Sequence, residues 1–61
     1  MITPQDIREL SKIKLFGDDT IYSVNCRVDE GMTFIDVSNP NNSDETRKSI
    51  KIDEIERVVE F

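Results

Sequence analysis

The sequence predicts a mainly β fold, in which a short N-terminal helix is followed by a strongly bent five-stranded antiparallel small barrel. Three observations predict it. Apolar and polar residues alternate over several short stretches, clusters of Gly, Asp and Asn separate those stretches, and 61 residues suffice for only one domain. We therefore expect a single domain over 1–61, with the helix at 3–11 and the barrel at 12–61.

The first residues carry the signals of a helix start. Thr3 is a favourable N-cap, Pro4 takes a position where no N–H is needed, and Asp6 faces the positive helix end. Ile7 and Leu10 then share one face. The pattern predicts a short helix that covers one end of the core.

The next segment predicts a hairpin with one buried face. Ile13 and Leu15 alternate with lysines, and a turn follows at 17–19. In the second strand, the inward-facing residues are expected to be Tyr22, Val24, Cys26 and Val28. Because the sequence has no histidine to activate it, we interpret Cys26 as an inert core thiol.

A third strand over 32–37 is predicted to be apolar on both faces, as is typical of a bent central strand. Its apolar residues are Met32 and Phe34 on one face and Ile35 and Val37 on the other. We expect Phe34 to lie in the core. A polar loop without apolar residues follows at 38–46.

The last part of the chain has two interpretations. Ile50 and Ile52 predict a fourth strand after the basic pair at 47–48, and 53–54 predicts a tight turn before a last strand. However, the apolar spacing also fits one stripe of a helix, and short apolar patterns do not distinguish the two. The residues concerned are Ile52, Ile55, Val58 and Val59.

Small size predicts self-association. A chain this short buries only about 60% of the surface that its unfolded form exposes. Its single cysteine excludes a disulfide within the chain. We expect contacts between copies to supply the missing burial.

Charge argues against non-specific binding to polyanions. Lys and Arg total 8 against 13 Asp and Glu, for a formal net charge of −5, which opposes attraction to nucleic acid or anionic membranes. No apolar run approaches the roughly 20 residues of a membrane span, and the N-terminus lacks the pattern of a signal peptide. We expect a cytoplasmic protein with no membrane partner, and any contact with nucleic acid to be local.

The absence of histidine removes the commonest general base and metal ligand. We interpret the four acidic pairs as solvated turns, because none has the spacing of a calcium-binding loop. These pairs lie at 18–19, 29–30, 44–45 and 53–54. We expect no enzyme, no catalytic residue, no metal site and no cofactor.

Two segments resemble sequence motifs of a known family. Residues 28–37, Val-Asp-Glu-Gly-Met-Thr-Phe-Ile-Asp-Val, are similar to the Asp-x-x-Met-Asn-x-x-Leu core of the first Sm motif. Residues 50–55, Ile-Lys-Ile-Asp-Glu-Ile, are similar to Ile-Arg-Gly-Asn/Asp-x-Ile of the second. With the outline of a helix and five strands, the chain resembles Sm and Sm-like proteins, which have an SH3-like small barrel.

The resemblance implies a homo-oligomer, such as a ring, in which the end strands of neighbouring subunits pair. It also implies that a nucleotide-like ligand or RNA binds at the subunit clefts. The implied ligand-binding residues are Arg27, Asp29, Met32, Thr33, Lys51 and Asp53. Two alternatives stay open: the cations only offset neighbouring acids on a solvated surface, or the protein is an acidic interaction module or inhibitor that binds a partner protein.

Overall fold

The structure, a computed structural model, describes residues 2–41 and 47–61. Five antiparallel strands form one sheet, which confirms the mainly β prediction. The strands are β1 (Lys12–Leu15), β2 (Asp18–Val24), β3 (Phe34–Ser38), β4 (Lys48–Lys51) and β5 (Ile55–Glu60). Their order across the sheet is β4-β3-β2-β1-β5, so β4 and β5 are the two edge strands.

The hairpin of β1 and β2 turns at Phe16 and Gly17. Gly17 has a φ of +73°, which glycine adopts without the steric cost that a side chain would add. Since β2 already begins at Asp18, the turn is shorter than the predicted 17–19. The pairing of Ile13 with Tyr22 places both side chains in the core.

Ten buried apolar side chains form the core in the described part of the chain: Ile7, Ile13, Leu15, Tyr22, Val24, Ile35, Val37, Ile50, Ile52 and Ile55. The alternation in β1 and β2 thus selects the inner face correctly. In β3, which was expected to be apolar on both faces, the face that carries Ile35 and Val37 is the buried one. Cys26 and Val28 are only partly buried against this core. They lie beyond the end of β2 at Val24, where the strict alternation of a paired strand no longer holds.

The segment after Ile52 is a strand, and a bulge explains its helix-like apolar spacing. Ile55 pairs with Leu15, but the next paired residue of β5 is Arg57, so Glu56 is an extra residue. One extra residue reverses the alternation of faces. It therefore brings Ile55 and Val58, three residues apart, to the same inner side.

The helix predicted over 3–11 is wrong. Only Pro4–Asp6 are helical, and they form a single 3-10 turn. The Asp6 carboxylate accepts hydrogen bonds from the backbone N–H of Thr3 (2.8 Å) and from its hydroxyl (3.1 Å). The next residue, Ile7, has an extended backbone, so the helix cannot continue.

Pairing with β2 takes the place of the expected helix. Leu10 N–H donates to the Val24 carbonyl, and Val24 N–H donates to the Ser11 carbonyl, both at 2.9 Å. A helix of so few residues is unstable by itself, whereas this pairing satisfies backbone groups beside the core. It also leaves Ile7 only 3% exposed, so this segment still covers one end of the core.

The sheet does not close into a barrel, and that part of the fold prediction is wrong. In the described residues, β4 and β5 are not paired with each other. They are joined by a 3-10 turn, Ile52–Glu54, so Ile52 lies in this turn and not in the fourth strand. Phe16 N–H donates to the Glu54 carbonyl (3.0 Å), which leads β5 onto β1. Each edge strand therefore has one side that pairs with no other strand of the described ranges.

The polar loop predicted at 38–46 lies partly outside the described residues. Ser38 is the last residue of β3, and Asn41 N–H donates to the side-chain oxygen of Asn39 (2.9 Å) in the turn that follows. Residues 42–46, with the acidic pair at 44–45, fall outside the described ranges.

Candidate ligand-binding cavity

A cavity of about 430 Å³ lies where β3 begins and β4 ends. Three chain segments form its wall: the N-terminal segment, the approach to β3, and the end of β4 with the 3-10 turn after it. The lining residues are Ile2, Met32, Thr33, Phe34, Lys51, Ile52 and Asp53. Small-molecule sites typically occupy roughly 300–1,000 Å³. The cavity is therefore large enough for an organic ligand.

Backbone pairing between β3 and β4 brings these residues together. Phe34 lies opposite Lys51 in the antiparallel register, and Ile52 N–H donates to the Thr33 carbonyl (2.9 Å). Side chains of directly opposite residues are close neighbours on one face of a sheet. The register of the two strands thus fixes the Phe34 ring beside the Lys51 ammonium.

Three polar side chains border the cavity, and all three are exposed: Thr33, Lys51 and Asp53. The Lys51 Nζ lies 5.9 Å from the centroid of the Phe34 ring, within the range of a cation–π interaction. With the other described residues, neither the Asp53 carboxylate nor the Thr33 hydroxyl forms a hydrogen bond or an ion pair. The wall therefore offers a cation, an aromatic ring, a hydroxyl and a carboxylate to a ligand.

Phe34 does not lie in the core, which corrects the expectation for this residue. Its side chain is 51% exposed, because strand alternation turns the neighbouring Ile35 inward. Met32 forms the opposite, partly buried part of the apolar wall. Its Sδ accepts a hydrogen bond from Asp29 N–H (3.0 Å), which orients the thioether.

Four of the six residues implied by the family resemblance line this cavity: Met32, Thr33, Lys51 and Asp53. Arg27 and Asp29 do not line it. They form an ion pair with each other (3.0 Å), with 87% and 59% of their side chains exposed. Arg27 is therefore placed on the solvent-facing side of the loop before β3.

Sequence reasoning missed three lining residues: Ile2, Phe34 and Ile52. The strand assignment placed Phe34 beside Met32 on one face, and this shared face was the available signal for the ring. No local signal points to Ile2, since its position depends on where the N-terminal segment crosses the sheet.

A second, smaller cavity of about 280 Å³ adjoins the first and shares Ile2 and Asp53 with it. Its other lining residues are Phe16, Ile55 and Glu56. The Glu56 carboxylate forms an ion pair with the Lys14 ammonium (3.0 Å). Asp53 thus stands between a cavity that carries Lys51 and a cavity that carries Glu56.

A polar cluster outside these cavities fastens β4 to the sheet. Tyr22 donates its hydroxyl hydrogen to Asp18 (2.8 Å) and accepts a hydrogen bond from Lys48 Nζ (3.1 Å). The pKa of Asp18 is lowered, first by the Thr20 backbone N–H that donates to it (2.9 Å), and then by Tyr22 and the Lys48 charge. The cluster links an edge strand to β2 across the outer end of β3.

Cys26 lies beside this sheet and not in either cavity. It is partly buried against the core, and its Sγ accepts a hydrogen bond from Asp36 N–H at 3.4 Å. The interpretation of Cys26 as an inert thiol stays a prediction.

Comparison with known proteins finds no matching family model, curated protein or solved structure. Within residues 2–41 and 47–61, no three acidic or cysteine side chains gather as metal ligands. None of the helical segments in those same ranges has the length and apolar character needed to cross a membrane.

Proposed function

We propose that this protein is a non-enzymatic binding module of the Sm-like or SH3-like type, which associates with copies of itself and binds a nucleotide-like ligand or RNA at the clefts between them. One observation carries the proposal. The cavity of about 430 Å³ adjoins the edge strand β4 and combines Lys51, Phe34, Thr33 and Asp53 on one wall.

Each of these groups has a counterpart in a nucleotide. The Lys51 ammonium is suited to a phosphate, and the exposed face of the Phe34 ring is suited to a stacked base. Thr33 and Asp53 supply hydrogen-bonding groups for the base or sugar. The apolar side chains of Ile2 and Met32 cover the remaining wall.

The acidic net charge restricts the proposed ligand to a short one. With −5 overall, a long polyanion is repelled by the rest of the surface. A single nucleotide or a few nucleotides of RNA need only the local cation at Lys51. The proposed contact is therefore a pocket for one base and its phosphate.

Self-association is proposed from the unpaired side of β4. Because Ile52 N–H donates to the carbonyl of Thr33, the residue before β3, alternation directs the N–H and carbonyl of Ile50 to β3 and those of Ser49 away from it. The Lys51 N–H also points away and donates to the Glu54 carboxylate (2.7 Å). Ser49 therefore offers the β4 backbone donor and acceptor to a second strand.

The charges of the two edge strands are complementary. β4 and the residue before it carry Arg47, Lys48 and Lys51 and no acid. β5 carries Glu56 and Glu60 against one base, Arg57. Opposite charges favour pairing of β4 in one copy with β5 in the next. Such a head-to-tail contact is heterologous, and it forms a ring when the rotation between copies closes.

Pairing at β4 would also complete the binding cavity. Lys51 belongs both to the edge strand and to the cavity wall. A strand of a second copy placed along β4 therefore borders the same cavity. This is the reason for proposing that the ligand binds at a cleft between copies.

Thermal shift and isothermal titration calorimetry with AMP, GMP, CMP and UMP test the proposed function. We expect at least one nucleotide to raise the melting temperature and to bind, and Lys51→Gln to weaken that binding about tenfold through loss of the phosphate contact. Lys12→Gln is the matched control, because Lys12 lies on β1 outside both cavities. Binding of no nucleotide by the wild type would contradict the proposal.

A second candidate function is supported by the edge of β5. This strand presents glutamates together with Val59, whose side chain is 48% exposed. An acidic strand edge with an exposed apolar side chain is suited to a basic, extended segment of a partner protein. A stable monomer that binds no nucleotide would leave this protein-interaction function.

A further inference from the structure

Of the groups on the cavity wall, the Asp53 carboxylate restricts most strongly which ligands can bind. It is exposed, it borders both cavities, and no other described residue pairs with it. An ionised carboxylate only accepts hydrogen bonds, through two oxygens that lie side by side. A base with two adjacent donors can therefore form two hydrogen bonds to Asp53 at once.

We propose that the cavity selects guanine, with Asp53 reading its Watson–Crick edge. This inference rests on the proposed function and names the ligand class of the same site. Guanine carries an N1–H and a 2-amino group next to each other, so both can donate to the two oxygens of Asp53. A bidentate bond to a charged partner is among the strongest hydrogen-bonding arrangements in proteins.

The other bases present a poorer match to Asp53. Adenine and cytosine place an amino donor beside a ring nitrogen that accepts, and that nitrogen would face a carboxylate oxygen. Uracil places its single N–H between two carbonyl oxygens. In each of these cases two acceptors face each other, and the unpaired polar groups lower affinity.

The charges around Asp53 also fix the direction of the ligand. On one side lies the cavity with Lys51 and the Phe34 ring, and on the other lies the cavity with Glu56. A phosphate is attracted to the Lys51 ammonium, whereas the cation that contacts Glu56, Lys14, is already paired with that carboxylate. The base therefore stacks on Phe34 with its Watson–Crick edge at Asp53, and the phosphate lies towards Lys51.

Calorimetry with GMP, IMP, AMP, CMP and UMP on the full chain tests this inference. We expect GMP to bind roughly fivefold to 100-fold more tightly than AMP, CMP and UMP, the usual discrimination by one bidentate pair. IMP lacks the 2-amino group and keeps N1–H, so its affinity should fall between those of GMP and AMP. Titration with the single-stranded RNA UUGUU distinguishes the two sources of guanine. Tighter binding of UUGUU than of GMP indicates guanine in RNA, and tighter binding of GMP indicates a free nucleotide.

Asp53→Asn provides the decisive variant. An amide presents one donor and one acceptor, so the preference for GMP over AMP should disappear. Asp19→Asn is the matched control, because Asp19 is exposed on β2 and lines neither cavity. Both variants should keep the wild-type circular dichroism spectrum.

The outcomes separate the two proposals. Equal affinity for all five nucleotides, or an unchanged GMP preference in Asp53→Asn, would overturn guanine selection and leave the binding module intact. Failure of every nucleotide to bind the wild type would overturn the proposed function and guanine selection together. Loss of the GMP preference in Asp53→Asn, with the preference kept in Asp19→Asn, supports the inference.

Discussion

At the residue scale, Asp18 shows how one ionised side chain supports the sheet. Its carboxylate accepts hydrogen bonds from Thr20 N–H and from the Tyr22 hydroxyl, and these bonds lower its pKa below the ordinary value of 3.8. Tyr22 in turn accepts a hydrogen bond from Lys48 on the edge strand β4. The folded state therefore prefers the ionised form of Asp18.

This preference predicts an acid-sensitive contribution to stability. Because the folded pKa lies below the unfolded one, the contribution is fully present above the unfolded value and is lost as the pH falls through the folded pKa. Urea unfolding at pH 7 and at steps below pH 4 should show a smaller loss of unfolding free energy for Asp18→Asn than for the wild type. Asp19→Asn should follow the wild-type curve. Equal losses for Asp18→Asn and the wild type would contradict the role of Asp18.

The polar residues of the cavity were easier to predict than its apolar ones. The family resemblance implied Thr33, Lys51 and Asp53 because its two motifs cover both segments, and all three are exposed on the cavity wall. The exposure of Phe34 depends on which face of β3 is covered, and the sequence is apolar on both. Leu10 has a φ of +74°, which is uncommon for a side chain of this kind. Its pairing with β2 imposes this conformation, and no local pattern indicates it.

At the element scale, the proposed association of copies depends on the side of β4 that pairs with no other described strand. The Ser49 N–H points away from β3, so a proline at this position removes no hydrogen bond within the sheet. It does remove the donor available to a second strand. We expect Ser49→Pro to fold and to associate at least tenfold more weakly than the wild type, as measured by sedimentation velocity over a concentration series.

Ser49→Thr is the control for this prediction, since it keeps the backbone N–H and the β preference of the position. Its association should match that of the wild type. Association of Ser49→Pro as strong as that of Ser49→Thr would show that the β4 edge is not the contact.

Elements that local patterns form could be predicted from the sequence, and elements that depend on pairing between distant residues could not. β1 and β4 were predicted within a few residues because alternation of apolar and polar residues is a local pattern, and β3 was predicted from its short apolar run, which is also local. The N-terminal helix failed because pairing with Val24 outweighed a local helix signal at 3–11. In β5, the bulge at Glu56 gave a strand the apolar spacing of a helix. Only its pairing with β1 distinguishes the two.

At the scale of the whole molecule, the small core and the open edges both bear on the proposed association of copies. Within residues 2–41 and 47–61, the core has only ten buried apolar side chains, and β4 and β5 each have one side without a neighbouring strand. Contacts between copies would cover those edges and add buried surface. The short length and the single cysteine predicted self-association, which stays a prediction, but they did not predict that the sheet stays open between β4 and β5.

Native mass spectrometry tests self-association and nucleotide binding together, because it reports subunit number and bound nucleotide in one spectrum. With GMP added, we expect an oligomer that carries up to one nucleotide per subunit, and a smaller nucleotide-bound fraction for the Lys51→Gln variant at the same GMP concentration. A monomer that carries no nucleotide at any concentration of GMP, AMP, CMP or UMP would contradict the claim that this chain is a self-associating nucleotide-binding module.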